Sequence, residues 1–267
     1  MKTAIKQWRY FIKTSLPLLG ILTLIAVPSS HAANVNPKAD GLDQVQAQPL
    51  SGEMPFLDRF EPNTVKFGDL NGQNEWKASP NHTVQVQTNI VWEGKQAVLF
   101  KSETVTSEVS RIFNNPPSQV VWIDFHAIER GTLIPSEPSD QLAVFLFDLE
   151  GRMIVQDGKR MKGDQWVTLT NGLSEATLGT WVRLTIKLDF DNQRWLICLN
   201  GKKVSENLGF GRASRDFHQF LTKGLVGGLD QFCVSTNTPP GLTLDVDLSQ
   251  TCRNSLAPPD TRLATRE

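Results

Sequence analysis

The chain has 267 residues, of which 39% are hydrophobic and 21% are charged. This balance is typical of a soluble globular protein with one core. The 27 basic and 28 acidic residues give a formal net charge of -1. Because no Lys/Arg run or basic patch stands out in the sequence, the composition argues against nucleic acid and against an anionic membrane surface as partners.

The first 32 residues have the pattern of a secretory signal peptide. Basic residues precede an apolar run over residues 16–27, and Ser30-His31-Ala32 places small residues at the two positions that a signal peptidase reads. The apolar run has about a dozen residues, whereas a transmembrane helix needs roughly 20. We therefore predict cleavage after Ala32, an exported protein (periplasmic or extracellular) and no transmembrane segment after cleavage. The alternative is an uncleaved membrane anchor.

Removal of residues 1–32 changes the charge balance of the chain. This leader contains four of the 27 basic residues and none of the 28 acidic ones, so the mature chain has 23 against 28 and a net charge near -5. Such a charge makes polyanionic sugars less attractive ligands, unless a local patch of the opposite charge overrides it.

The mature chain divides into three parts. Residues 33–55 are polar and aperiodic, which predicts a flexible linker, and residues 253–267, with paired prolines, predict a disordered tail. Residues 56–252 lie between them and are long enough for a single all-β domain.

Apolar and polar residues alternate with period two through much of this domain. In residues 182–190 every second residue is apolar, which is typical of an antiparallel strand with one face in water. Similar segments are TVQVQTNIVW, QAVLF, QVVWIDFHA, QLAVFLFDL, RMIVQ, QWVTLT, DQFCVS and LTLDVDL. Turn signals separate them: Glu93-Gly94, Glu150-Gly151, Asp157-Gly158, Asn171-Gly172 and Asn200-Gly201. Only residues 214–221 indicate a helix, so we predict an all-β fold, a two-sheet antiparallel β-sandwich.

The segment Asp189-Phe190-Asp191 separates two of these strands. Asp residues favour bends because their side chains accept hydrogen bonds from nearby backbone amides, so we predict a turn here rather than a catalytic or metal-binding pair of carboxylates. A structural calcium ion bound by loop oxygens is the alternative, although no spaced set of ligands is visible. We expect no other cofactor.

Three cysteines remain after the predicted cleavage: Cys198, Cys233 and Cys252. In an oxidising compartment two of them can pair, in three possible ways. We favour a disulfide between Cys233 and Cys252, because each lies near the end of a late segment while Cys198 alternates inside an apolar strand. Three unpaired thiols are the alternative, and no Cys/His spacing indicates zinc.

Two strand motifs carry a resemblance to a known fold family. The pattern W-x-R-L-T-I-x-L-D from Trp181, followed by W-x-I-x-L-N-G from Trp195, resembles the laminin-G-like and concanavalin A-like lectin/glucanase superfamily. GQNEW at residues 72–76 and GGLDQFCVS at residues 227–235 support the resemblance, which covers roughly residues 56–250. It implies a jelly-roll sandwich. It does not imply an activity, because such folds include sugar-binding modules, glycan hydrolases, polysaccharide lyases and adhesion domains.

Glycoside hydrolysis requires a pair of carboxylates at a defined separation. The glucanases of this superfamily resemble one another in a Glu-x-Asp-x-x-Glu strand. The nearest match here, VVWIDFHAIE, contains Asp124 and Glu129, but Trp122 stands where the first glutamate would be. The sequence therefore argues against this activity.

A polysaccharide lyase is the closer enzymatic alternative. Glu108, Arg111 and His126 resemble the Arg/Glu and His strands of alginate-lyase-like sandwiches. Those enzymes resemble one another in using a tyrosine near a C-terminal strand, and the single tyrosine of this chain, Tyr10, lies in the predicted leader. We therefore expect no catalysis, with a polysaccharide-active enzyme, lyase or hydrolase, as the alternative.

Binding is the remaining function, and QVVWIDFHA is its most suggestive strand. Its residues Trp122, Asp124 and His126 share one face, whereas Val121, Ile123 and Phe125 share the other, which is plainly core. The first face is either the floor of a sugar-binding groove or an outer sheet face with a packed Trp and a satisfied His. We predict a carbohydrate-binding or adhesion module whose partner is a glycan or cell-surface polysaccharide, with a structural module of an envelope assembly as a further alternative. The candidate binding residues are Trp76, Trp92, Arg111, Trp122, Asp124 and His126.

Overall fold

The computed structural model describes residues 22–25, 54–80, 83–102, 106–114, 118–160, 165–169, 178–224 and 226–244. Within these ranges there is no α-helix, only a short 3-10 turn at Gln73–Glu75. No helix in this part of the chain is long and apolar enough to cross a membrane. The strands are β1 (Leu22–Ile25), β2 (Phe56–Asp58), β3 (Gly68–Asp69), β4 (Lys77–Ala78), β5 (Val84–Gln87), β6 (Ala97–Lys101), β7 (Ser107–Ile112), β8 (Val120–Ile128), β9 (Ala143–Phe147), β10 (Met153–Gln156), β11 (Trp166–Leu169), β12 (Trp181–Asp189), β13 (Arg194–Leu199), β14 (Lys202–Gly209), β15 (Gln219–Gly224) and β16 (Val226–Ser235).

The strands form two antiparallel sheets, which confirms the predicted β-sandwich. The seven-stranded sheet has the order β11-β10-β9-β1-β15-β7-β4. The nine-stranded sheet has the order β14-β13-β12-β8-β16-β6-β5-β3, and β2 also pairs with β16. Because the chain crosses repeatedly from one sheet to the other, each layer is held by residues distant in sequence.

The core lies between the two sheets and is rich in aromatic rings. Phe220 of the seven-stranded sheet lies 4.5 Å from Phe232 and 5.4 Å from Phe125 of the nine-stranded sheet, measured between ring centroids. All three rings are fully buried. Burial of each phenylalanine side chain stabilises the fold by about 1.5–3 kcal/mol, so this contact between the layers fixes their spacing.

The hairpin of β12 and β13 confirms the predicted turn. β12 ends at Asp189 and β13 begins at Arg194. The Asp189 carboxylate accepts hydrogen bonds from the backbone and side-chain nitrogens of Asn192, at 2.9 and 3.0 Å. Asn200 and Gly201 then join β13 to β14 with positive φ angles of 50° and 77°, as a tight hairpin requires.

The helix expected at residues 214–221 is absent, so that prediction is wrong. The structure has a bend at residues 215–216, and β15 begins at Gln219. β15 pairs with β7 and β1 along its length, and Phe220 fills the core. Long-range strand pairing and burial therefore override the weak local preference for a helix.

β1 lies inside residues 1–32, the predicted signal peptide. It pairs antiparallel to β9 on one side and to β15 on the other, with Leu24 opposite Ala143 and Phe220. Signal cleavage stays a prediction. The predicted tail, the Asn171-Gly172 turn and all of the predicted linker except residues 54–55 lie outside the described residues.

Candidate functional site

The outer face of the nine-stranded sheet carries the polar positions of β8 and β12. In β8, Val121, Ile123 and Phe125 point into the core and are fully buried. The alternate residues point outward, since successive side chains of a strand lie on opposite faces. The register pairs Asp124 with Thr185 and His126 with Arg183, so the polar positions of the two strands lie side by side.

Asp124 and Arg183 form a fixed pair of opposite charges at the centre of this face. Arg183 Nε and Nη2 donate to the two carboxylate oxygens of Asp124, each at 2.9 Å. Thr185 Oγ1 donates to Asp124 Oδ1 at 2.5 Å, and Arg183 Nη2 also donates to the Pro240 carbonyl at 2.9 Å. Bidentate pairing of this kind is strong and directional, so it provides a rigid polar floor.

Trp92 lies over His126 next to this floor. The two rings are stacked, with centroids 4.4 Å apart and an interplanar angle of 15°. Trp92 is 50% exposed, which leaves its outer face accessible. Burial lowers the pKa of His126 below its usual value and outweighs the opposing effect of Asp124, so the imidazole is neutral at neutral pH. The buried Nδ1 of His126 has no hydrogen-bond partner.

A buried carboxylate and a buried amide hold the loop that presents Trp92, residues 88–95, hereafter the Trp92 loop. Asp230 Oδ2 accepts the backbone N–H of Trp92 at 3.1 Å and that of Glu93 at 3.3 Å. Gln87 accepts the backbone N–H of Ile90 at 2.9 Å and donates to its carbonyl at 2.7 Å. Burial raises the pKa of Asp230 to about 6. The indole position is therefore fixed by the sheet beneath it.

A cleft lies on the same outer face, over β12, β13 and β14, and is called here the β12–β14 cleft. Its volume is about 330 Å³. Its lining is mostly polar and consists of Lys187, Asp189, Asn192, Arg194, Trp195, Leu196, Glu206 and Asn207. The outer face thus offers an exposed indole, a charged floor and a polar cleft on one sheet.

Three of the six residues predicted to bind a ligand lie together, namely Trp92, Asp124 and His126. Trp122 shares their sheet face but is only 4% exposed, and Lys187 Nζ lies 5.8 Å from the centroid of its ring. A buried ring offers no face to a sugar, so Trp122 supports the floor of the site.

The other two predicted residues lie in the interior. Trp76 is fully buried, and its indole nitrogen donates to Asp58 Oδ2 at 2.9 Å. The Arg111 side chain belongs to the seven-stranded sheet, is 2% exposed and lies 4.0 Å from the centroid of the Phe56 ring. Neither residue shares an open cleft with Asp124 and His126, so we omit both from the candidate site.

Sequence reasoning missed several residues of the site. Arg183 and Thr185 were visible as the polar positions of an alternating strand, but only the register with β8 shows that both reach Asp124. Asp230 lies in the GGLDQFCVS motif, whose pattern indicates the fold and not a binding role for this residue. The polar residues of β13 and β14 in the cleft carried no motif.

The cysteines and the possible metal remain as predictions. Cys233 is a free thiol in the structure, and Cys252 lies outside the described residues, so the predicted disulfide stays a prediction. Burial raises the pKa of Cys198 to about 11, which makes this thiol unreactive at neutral pH. The described ranges contain no group of three or more His, Cys, Asp or Glu side chains suited to hold a metal ion.

No protein-family model matches the chain, and no curated protein matches it. Among solved structures, the chain is similar to a sialidase, with 12% identity and a TM-score of 0.44 over 61% of this chain, but it spans only 17% of that protein's length. It is similar to the endo-β-1,4-glucuronan lyase of the fungus Trichoderma reesei, with 18% identity and a TM-score of 0.39 over 64% of this chain and 94% of the other. It is also similar to a xylan-binding domain from Paenibacillus barcinonensis, with 16% identity and a TM-score of 0.34 over 71% and 98%. At such low identity and TM-score, the likeness assigns no ligand to this chain.

Proposed function

We propose that this protein is an exported, non-catalytic carbohydrate-binding module on a concanavalin A-like jelly-roll sandwich. It binds a glycan, such as a cell-surface polysaccharide, across the outer face of the nine-stranded sheet. The observation that carries the proposal is the half-exposed Trp92 ring, whose inner face is stacked on His126 beside the Asp124–Arg183 pair. The leader pattern of residues 1–32 supports export.

The geometry of Trp92 suits a sugar ring. The carbon–hydrogen face of a pyranose is apolar and flat, so it stacks on an aromatic face, while its hydroxyl groups need polar partners at the edge. His126 supports the indole from below, and Asp230 fixes the backbone of the Trp92 loop. A platform that is already ordered loses little conformational entropy when the ligand binds.

Replacement of the indole tests this proposal. We expect Trp92→Ala to weaken binding to a polysaccharide by roughly tenfold or more, because stacking on an aromatic ring is worth about 1–3 kcal/mol in comparable ring systems. The measurement is binding to a glycan array, followed by titration of the best ligand. Phe67→Ala is the matched control, since Phe67 is 68% exposed and is not a residue of the site.

Three results would contradict the proposal. The first is equal affinity of the wild type and Trp92→Ala for the same glycan, and the second is no binding to any of a diverse set of polysaccharides. The third is release of new reducing ends or unsaturated uronates by the wild-type protein, which would show that the protein is an enzyme.

A further inference from the structure

We propose that the β12–β14 cleft is the subsite for the anionic substituent, a carboxylate or a sulfate, of an acidic sugar in the bound glycan. This inference rests on the proposed function. It assigns an acidic sugar as the ligand, although the net negative charge of the mature chain disfavours anionic ligands. Its basis is that the two cations of the cleft, Lys187 and Arg194, have no carboxylate partner within 4.0 Å, whereas both carboxylates of the cleft have close partners.

The two carboxylates of the cleft are already engaged. The carboxylate of Asp189 accepts three hydrogen bonds from Asn192, at distances of 2.9 to 3.1 Å. Glu206 Oε2 pairs with Lys203 Nζ at 2.7 Å. Both acidic groups therefore have partners inside the protein, and the ion pair with Lys203 reduces the repulsion between Glu206 and an incoming anion.

Neither cation of the cleft forms a close ion pair, although Lys187 attracts the Asp189 carboxylate over a longer distance. Across the described ranges, neither Lys187 nor Arg194 has a carboxylate oxygen within 4.0 Å. Arg194 Nη1 donates to the neutral amide oxygen of Asn207 at 3.1 Å, and Lys187 Nζ lies above the Trp122 ring. The lining therefore holds two cations without a close carboxylate partner and two carboxylates, of which Glu206 is neutralised by Lys203.

The cleft also has the size and the neutral groups that a sugar unit requires. Its volume of about 330 Å³ lies at the lower end of ordinary ligand sites, roughly 300–1,000 Å³. The amides of Asn192 and Asn207 line it together with the two cations. An amide both donates and accepts hydrogen bonds, which suits hydroxyl groups, while the guanidinium fork of Arg194 suits a planar carboxylate.

The negative charge of the whole chain does not prevent this binding. Exposed charges are screened over a Debye length of about 8 Å at physiological ionic strength, so distant acidic residues contribute little at the cleft. Contact with Lys187 and Arg194 then decides the local interaction. Since both cations are near the surface, binding to the acidic sugar weakens as salt concentration rises.

The test compares an oligosaccharide of uronic acids with its carboxyl-reduced counterpart, which differs only in having CH₂OH in place of each carboxylate. Sulfated and neutral oligosaccharides form two further arms, so that the source of the anion is identified. We expect the wild type to prefer an acidic oligosaccharide over its neutral counterpart by about tenfold at low salt. The double variant Lys187→Met/Arg194→Gln should lose this preference while keeping the affinity for the neutral sugar.

Lys77→Met/Lys101→Met is the matched control, because both lysines are exposed and lie outside the cleft, and their replacement removes the same two positive charges. It should leave the preference intact. Equal affinity of the wild type for acidic and neutral sugars would overturn the inference, as would an unchanged preference in the double variant. If Trp92→Ala still abolishes binding in either case, the proposed function survives without the acidic subsite. Circular dichroism and thermal melting establish that every variant is folded.

Discussion

His126 and Asp230 show how burial tunes single residues at the candidate site. Both lie under the Trp92 loop, in adjacent strands where the register pairs one with the other. Burial lowers the pKa of His126 and raises the pKa of Asp230 to about 6, so burial disfavours the charged form of each group. The loop counteracts this at Asp230, because the hydrogen bonds from Trp92 and Glu93 stabilise the carboxylate.

The lowered pKa of His126 predicts a pH-dependent contribution to stability. Below about pH 6.5 the unfolded chain binds a proton at this residue that the folded chain does not, so this contribution to the free energy of unfolding falls as the pH falls. His126→Phe keeps a ring under Trp92 and removes the titration. We expect the stability of the variant relative to the wild type to increase as the pH is lowered from about 7.5 to about 5.5.

Urea unfolding at each pH measures this difference. Asp230 has the opposite effect on the pH dependence of the free energy of unfolding, because its raised pKa favours proton uptake by the folded chain. Since Asp230 is present in both proteins, this effect cancels when the variant is compared with the wild type. A stability difference that stays constant with pH would contradict the assignment.

Among the elements, the turn between β13 and β14 joins two strands that line the β12–β14 cleft at their far ends. Gly201 has a φ of 77°, and a Cβ at this position would lie 2.8 Å from the Gly241 carbonyl oxygen. Two separate costs therefore act on a side chain here, the positive φ and the close backbone. A side chain at residue 201 would therefore destabilise this turn.

A pair of substitutions separates these two costs. Gly72 has a φ of 82°, but a Cβ there would meet no atom within 4 Å. We expect Gly72→Ala to lower the free energy of unfolding by about 1 kcal/mol, the ordinary cost of a positive φ, and Gly201→Ala to lower it by about 1 kcal/mol more. Chemical denaturation of both variants checks this. Equal losses would show that the Gly241 backbone gives way freely.

The strand β1 is expected to contribute to the stability of the seven-stranded sheet. It lies between β9 and β15 and pairs with both, so a break in its backbone hydrogen bonding affects two neighbours. In the full-length chain, we expect Thr23→Pro to lower the free energy of unfolding by about 3 kcal/mol, since proline in a central strand cannot donate and disrupts the ladder. Thr23→Ala is the control. Coincident unfolding curves for the two variants would mean that β1 adds nothing to the stability of the sandwich.

For the molecule as a whole, the sequence was enough to predict the layers but not the site. Alternation of polar and apolar residues is a local signal, so the strand of residues 182–190, the turn at Asp189 and the Asn200-Gly201 hairpin were all predictable and are confirmed. The helix expected at residues 214–221 was wrong because its signal was weak and long-range pairing prevailed. Periodicity predicts that two sheets form. It does not predict which strands are neighbours.

The site depends on those neighbours. The polar face of QVVWIDFHA was visible in the sequence, but the contact of Asp124 with Arg183 joins residues far apart in the chain. Arg111 belongs to the other sheet, where it shares a strand face with the fully buried Val109 and points into the core. Whether a charged or aromatic residue is buried depends on the tertiary structure, so the sequence alone does not show it. For this reason the sequence predicts Trp76, Trp122 and Arg111 as binding residues although all three are buried.

The course of the chain near residue 225 has a mechanical consequence. β15 of the seven-stranded sheet ends at Gly224, and β16 of the nine-stranded sheet begins at Val226. A single residue therefore connects a strand of one sheet to a strand of the other. Shear of one layer against the other would strain both hydrogen-bonded ladders at once. A load applied to one layer is therefore transmitted to the opposite layer through covalent bonds, so the two layers resist it together.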